Sequence, residues 1–153
     1  MIKKIDIKIL NKNTKNKFHL PKYTTSGSSA LDLRACINNI IKLKSNQTKL
    51  IPTGIAIHIM DPNISAIIVP RSGLGHHSGI ILGNSIGIID SDYQGELMLS
   101  LWNRKKHNFF IKPNSRIAQI IFIPIIKIKF NIVNSFQYTT KRKKKGFGHS
   151  GTS

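Results

Sequence analysis

The chain has 153 residues, a length that suits one domain able to bury about two-thirds of the surface its unfolded form exposes, so no second core is required. Its one cysteine, Cys36, excludes an intrachain disulfide and a stapled, secreted scaffold, and a reducing cytoplasm is the expected compartment. Twenty-four Lys and Arg against six acids give a formal net charge of +18, but the lysines are scattered and aromatic residues make up only 7%; the excess reads as an AT-rich coding bias and not as a nucleic-acid surface, although its field would attract a phosphorylated substrate.

Taken in order, Met1-Ile2-Lys3-Lys4-Ile5-Asp6-Ile7-Lys8-Ile9-Leu10 alternates apolar and polar side chains over 3–10. That is the period of a strand and not the continuous apolar run of a signal peptide, so export is not expected. Further strand-like segments lie at 30–37, 48–51, 54–60, 64–69, 80–83, 86–89, 97–102, 107–111, 117–123 and 125–133. Pro52-Thr53-Gly54, Asp61-Pro62-Asn63, Pro70 and Lys112-Pro113-Asn114 punctuate them, and only Ser72 to Ser78 reads as a short helix. Many short strands without a long amphipathic helix imply an all-β sandwich or barrel.

The longest apolar run, Ile117 to Ile126, is broken by Gln119 and Pro124 and falls short of the ~20 residues of a membrane-spanning helix. From residue 136 the composition changes. Lys141-Arg142-Lys143-Lys144-Lys145 leads into Gly146-Phe147-Gly148-His149-Ser150-Gly151, which cannot build a core. The expected organisation is a single β domain over 1–135 and a mobile C-terminal tail over 136–153.

The acids are Asp6, Asp32, Asp61, Asp90, Asp92 and Glu96, and three of these six fall between Ile80 and Trp102. There, two runs rich in Ile and Leu flank Asp90-Ser91-Asp92-Tyr93-Gln94-Gly95, which reads as the turn of a β-hairpin. A carboxylate on such a turn can activate a water or help bind a metal, since strands fix its direction while the turn leaves it in solvent. Turn chemistry alone also selects these residues.

Pro70-Arg71-Ser72-Gly73-Leu74-Gly75 offers a guanidinium, a hydroxyl and glycine-exposed amides after an apolar strand. The set suits phosphate, or an ordinary turn, and lacks the Lys-Ser/Thr of a Walker loop. Gln119, in Arg116-Ile117-Ala118-Gln119, either bonds backbone inside the core or faces a ligand, because burial without a partner would cost about 1–3 kcal/mol. Asp32 is a carboxylate among apolar neighbours, with Arg34 or another cation as its structural partner. The histidines lack metal-ligand spacing and read as surface residues.

Five stretches, in order, resemble the motifs of trimeric dUTPases (deoxyuridine triphosphatases, or dUTP pyrophosphatases). They are Ala30-Leu31-Asp32-Leu33-Arg34-Ala35; Pro70 to Gly75; Gly83-Asn84 with Gly87-Ile88-Ile89-Asp90-Ser91-Asp92-Tyr93-Gln94-Gly95; Arg116 to Gln119; and Gly146 to Gly151. The resemblance implies a jelly-roll-like β fold and a homotrimer whose active sites are shared between subunits. It implies Mg2+-dependent hydrolysis of dUTP to dUMP and pyrophosphate, which keeps uracil out of DNA and supplies dUMP for thymidylate synthesis.

The resemblance also implies roles. Asp90 would be the base for the water attacking the α-phosphorus. Tyr93 would pack beneath the deoxyribose, Asn84 with the backbone of Ile88 and Ile89 would read the uracil edge, and Met98 would line the nucleoside pocket. Arg71, Ser72, Gly73 and Gln119 would hold phosphates, with Asp32 near Mg2+ through water. From the tail, Phe147 would stack on uracil while Arg142 and Ser150 reach the phosphates.

Two motifs depart from the family pattern. Lys143 and Lys145 stand where glycine is usual, so a positive φ there would be strained. Ser29-Ala30 stands in place of Ala-Gly. The rival readings are a dCTP deaminase-like enzyme of the same superfamily, which would use a glutamate base, and a non-catalytic basic β module that binds nucleic acid.

Overall fold

The structure, a computed structural model, describes residues 3–10 and 19–146. Among these, ten strands and one short helix occur in the order β1 (Asp6–Ile9), β2 (Leu31–Arg34), β3 (Ile41–Leu43), β4 (Thr48–His58), β5 (Ile64–Val69), α1 (Ser72–Ser78), β6 (Ile80–Leu82), β7 (Gly87–Ile89), β8 (Glu96–Asn103), β9 (Phe109–Ile111) and β10 (Arg116–Pro124). They form two four-stranded sheets, ordered β1-β4-β8-β6 and β2-β10-β5-β7, and a two-stranded ribbon, β3-β9. Every pairing is antiparallel. The fold is all-β, as the strand-rich sequence implies, and jelly-roll-like, as the family resemblance implies. No helix among the described residues is long and apolar enough to cross a membrane.

Period-two alternation builds the core. Along β8, Leu97, Leu99 and Leu101 are buried while Glu96, Met98, Ser100 and Trp102 occupy the other face. They meet Leu33 of β2, Ile68 of β5 and Ile120 of β10 in one cluster drawn from both sheets. Each such side chain contributes about 1.5–3 kcal/mol by leaving water, and this is what holds strands as short as three residues in place.

One polar side chain joins that interior. Asn103 is fully buried. Its Nδ2 donates to the carbonyls of Leu43 at 3.1 Å, Lys44 at 3.1 Å and His107 at 2.8 Å, and its Oδ1 accepts from the Lys105 N–H at 3.0 Å. With donor and acceptor both satisfied, it ties the end of β8 to the β3-β9 ribbon.

Several elements differ from the sequence reading. The segments at 48–51 and 54–60 are one strand, β4, which runs through Pro52 because the β4–β8 register shifts between Pro52 and Ala56; a bulge tolerates the missing N–H. The strand β3 has no counterpart among the expected segments. The segment at 125–133 is not a strand: β10 ends at Pro124, and from Ile126 onward the chain is exposed. Ile125 still donates its N–H to the Asn63 carbonyl at 2.7 Å, but residues 126–133 pair with no strand among the described residues.

The expected hairpin across Asp90–Gly95 is also corrected. β7 pairs with β5 in one sheet, and β8 pairs with β4 and β6 in the other. The acidic stretch is therefore a corner where the chain crosses between sheets. Its turn chemistry marks a change of direction but does not choose the partner of the next strand.

Candidate active site

Strand register assembles one half of the site. β10 lies between β2 and β5 and sets Gln119 opposite both Asp32 and Val69, so a carboxylate, an amide and the start of the Pro70-Arg71-Ser72 segment come side by side. Arg71 Nε donates to Asp32 Oδ1 at 2.7 Å, and Arg116 Nη1 donates to Asp32 Oδ2 at 3.2 Å. Gln119 Nε2 donates to the Pro70 carbonyl at 3.1 Å, a bond that fixes the chain just ahead of Arg71, and the half-buried side chain also lines a cavity.

Asp32 is thus held by two guanidiniums and not by Arg34, which donates instead to the Asn114 carbonyl at 2.8 Å. Two cations around one carboxylate leave a net positive locus. It borders a cavity of about 770 Å³ whose lining includes Asp32, Arg71, Ser72, Gly73, Arg116 and Gln119, with Thr24, Ser28, Ser29 and His77. Arg116 and His77 were not among the expected site residues. Arg116 could have been suspected, since it opens the same four-residue motif as Gln119.

The corner forms a second locus. Ser65 Oγ donates to the Ile89 carbonyl at 2.9 Å, the Tyr93 N–H to the Asp90 carbonyl at 3.2 Å, and the Met60 N–H to the Ser91 carbonyl at 3.1 Å. Three consecutive carbonyls are therefore anchored, while the Asp90 side chain stands exposed with no hydrogen-bond partner among the described residues. Ile88, Ile89, Asp90, Tyr93, Glu96, Leu97 and Met98 line a cleft of about 180 Å³. β7 is an edge strand, so its outer backbone groups have no strand partner among the described residues.

Glycine shapes this cleft at one point. A Cβ on Gly95 would lie 2.6 Å from Tyr93 Cζ, so only glycine lets the ring fold back over the corner. Behind it, burial first and the negative charge of Glu96 second push the Cys36 thiol above its ordinary value.

Within one chain these loci do not share a lining residue. Asn84 lies in the turn before β7, with its Nδ2 3.8 Å from where a Cβ on Gly87 would sit, and borders neither cavity. Arg142 is exposed in the tail, its Nε donating to the Lys145 carbonyl at 2.9 Å. Phe147 and Ser150 lie outside the described residues. Lys143 does adopt a positive φ, 53°, at the position where strain was anticipated.

A family model for dUTPase matches residues 16–151. The chain belongs to the dUTPase family. It is 61% identical to the deoxyuridine 5'-triphosphate nucleotidohydrolase of Buchnera aphidicola subsp. Acyrthosiphon pisum (strain Tuc7) over 149 residues, 97% of this chain and 96% of the relative. It is 56% identical to that of Escherichia coli O1:K1 / APEC over 151 residues, 99% of each.

Solved dUTPases share the fold. A mutant dUTPase of Staphylococcus bacteriophage 80alpha with dUpNHpp matches at a TM-score of 0.81 and 21% identity, over 98% of this chain and 99% of that one. A mutant dUTPase from phage phi11 of S. aureus, described with coordination of a structural Mg(II) ion, matches at a TM-score of 0.77 and 17% identity, over 89% of this chain and 100% of that one. Among the described residues, three of the dUTPase motifs of this chain meet at Asp32, Arg71 and Arg116, and another supplies the acidic corner.

Proposed function

We propose that this dUTPase, which hydrolyses dUTP to dUMP, uses Asp90 to activate the attacking water and works from a site completed between subunits. Asp90 suits the role because its backbone is anchored at three successive carbonyls while its carboxylate remains exposed at the rim of a nucleoside-sized cleft. A base held in that way can meet a water without reorganising. Its carboxylate takes the proton as the water oxygen bonds to the α-phosphorus, and the bridging oxygen leaves with pyrophosphate.

The remaining roles rest on chemistry. The outer edge of β7 at Ile88, with Ile89 lining the cleft beside it and Asn84 nearby, offers a backbone donor and acceptor for a uracil edge. Tyr93 presents its ring as a floor for a sugar lacking a 2′-hydroxyl, and Met98 lines the apolar side. Arg71, Ser72, Gly73 and Gln119 would hold the phosphates, with Arg116 beside them. Arg142, Phe147 and Ser150 would act from the tail of residues 136–153 as a lid.

Mg2+ is supported only in a particular form. Among the described residues no three His, Cys, Asp or Glu come together, and both oxygens of Asp32 already accept from arginines. That donor set fits a hydrated Mg2+ brought by the triphosphate and touching Asp32 through water, where it would neutralise phosphate charge.

A homotrimer is supported by an unsatisfied surface. Beyond β10, Ile126, Ile128, Phe130 and Ile132 alternate with polar residues and are 88%, 72%, 85% and 95% exposed. Such a stripe lacks a partner among the described residues of its own chain. Association would also allow the phosphate locus of one subunit to meet the cleft of another.

Incubation with dUTP, dCTP, dTTP and UTP, with pyrophosphate and ammonia assayed, tests the activity. Pyrophosphate is expected from dUTP alone. Ammonia from dCTP would overturn this reading in favour of a deaminase, and a monomer by light scattering at micromolar concentration would overturn the shared site.

A further inference from the structure

The bulge in β4 has a bearing on the cleft that the assigned roles do not use. Between Pro52 and Ala56, β4 carries more residues than the facing segment of β8, since Pro52 pairs with Met98 and Ala56 with Glu96. Gly54 sits there at φ 73°. Two groups of the bulge face β8: Thr53 Oγ1 donates to the Leu97 carbonyl at 2.7 Å, and the Gly54 N–H donates to Glu96 Oε1 at 2.8 Å. The bulge is tied in turn to the β1 side of the sheet by the Leu10 N–H on the Gly54 carbonyl at 2.9 Å.

Glu96 carries this anchorage forward. Its own carbonyl accepts the Tyr93 hydroxyl at 3.0 Å, so the residue clamped to Gly54 through its side chain fixes the ring through its backbone. Gly95 completes the bracket, because a Cβ there would strike the ring. Tyr93 itself is half-exposed, so its direction depends on that hydroxyl bond. Glu96 is the first residue of β8 and lines the cleft beside Asp90 and Tyr93.

We propose that Glu96 is a positioning residue for sugar discrimination: its carboxylate, held by the Gly54 N–H, sets the carbonyl that orients Tyr93, and thereby the room left at the sugar 2′ position. The proposal rests on the assignment of Tyr93 to the sugar. A ribose hydroxyl is rejected only if the ring cannot yield, and the bulge supplies that rigidity from β4, a strand that does not itself line the cleft. Loss of the side-chain anchor leaves the ring in place on average but free to move aside for a 2′-hydroxyl.

The test is the ratio of kcat/KM for dUTP to that for UTP in the full-length enzyme. In Glu96→Ala the ratio should fall about tenfold, which corresponds to ~1.4 kcal/mol of discrimination, mainly through a gain in UTP turnover. Glu96→Gln keeps an Oε1 acceptor for Gly54 and should retain the wild-type ratio. Tyr93→Phe keeps the ring, removes the hydroxyl bond, and should lower the ratio without an additive effect in combination with Glu96→Ala. A merely structural Glu96 would reduce both substrates equally and leave the ratio unmoved, which would overturn the inference. So would Glu96→Gln behaving like Glu96→Ala, or Tyr93→Phe keeping full discrimination, an arm that stands even if Glu96→Ala does not fold. A wild-type enzyme that takes dUTP and UTP alike would overturn the assignment of Tyr93 and this inference together.

Discussion

Asp90→Asn removes the charge of the acidic corner while keeping its shape. In the fold the side chain is exposed and has no partner among the described residues, so the substitution deletes no bond that holds the corner. The anchors at the carbonyls of Ile89, Asp90 and Ser91, donated by Ser65 Oγ and by the N–H groups of Tyr93 and Met60, do not involve the Asp90 side chain and survive. Stability should therefore change by no more than about 0.5 kcal/mol, the usual range for a surface substitution. Catalysis should not be spared. Loss of a general base costs about 10²–10⁴-fold, or ~2.7–5.4 kcal/mol of barrier at 1.36 kcal/mol per tenfold. Because Asn carries no negative charge to repel a triphosphate, dUTP should bind the variant at least as tightly as the wild type. Single-turnover pyrophosphate release gives the rate, calorimetric titration the affinity, and a thermal melt the stability. Turnover within about threefold of wild type would remove Asp90 from the role, and a loss confined to affinity would make it a binding residue.

Asp32→Ala leaves Arg71 and Arg116 without the carboxylate that orients both; these charges are partly exposed, so the melt should shift little, while KM for dUTP should rise about tenfold as the guanidiniums lose their fixed aim. An unchanged KM would show that their placement is set elsewhere. Lys143→Gly should relieve the left-handed backbone at φ 53° and lower the cost of ordering the tail by about 1 kcal/mol, seen as a lower KM for dUTP without change in the melt. A rise in KM, greatest at low salt, would show instead that the lysine charge attracts the triphosphate. Cys36 should react with iodoacetamide with a pH midpoint above that of a free thiol, because burial and then Glu96 disfavour its thiolate; a midpoint at or below the free value would refute that environment. Removal of residues 141–153 deletes no strand found among the described residues, so melting should persist while activity falls, and equal turnover by the truncated enzyme would refute the lid.

The sequence by itself determined the class of fold and the stock of chemistry. Local composition and punctuation suffice for β5, an apolar run closed by Pro70, and for the short α1 after it, so both appear where the residues place them, and the scarcity of acids alone drew attention to Asp90, Asp92 and Glu96. The five motifs named the family from residue types in order, which needs no coordinates. Whatever depends on partners distant in the chain was decided only by tertiary structure. Asp32 meets Arg71 across 39 positions and Arg116 across 84, and neither could be chosen over Arg34 without the β2–β10 and β10–β5 registers. β7 joins β5 and not β8, turning an apparent hairpin into a crossing between sheets, because burial of Ile68 and Leu97 in a common core outweighs the short-range advantage of a tight turn. The exposed alternation of Ile126 to Ile132 shows the same limit from the other side: a strand pattern is written locally, but a strand forms only where an open sheet edge receives it.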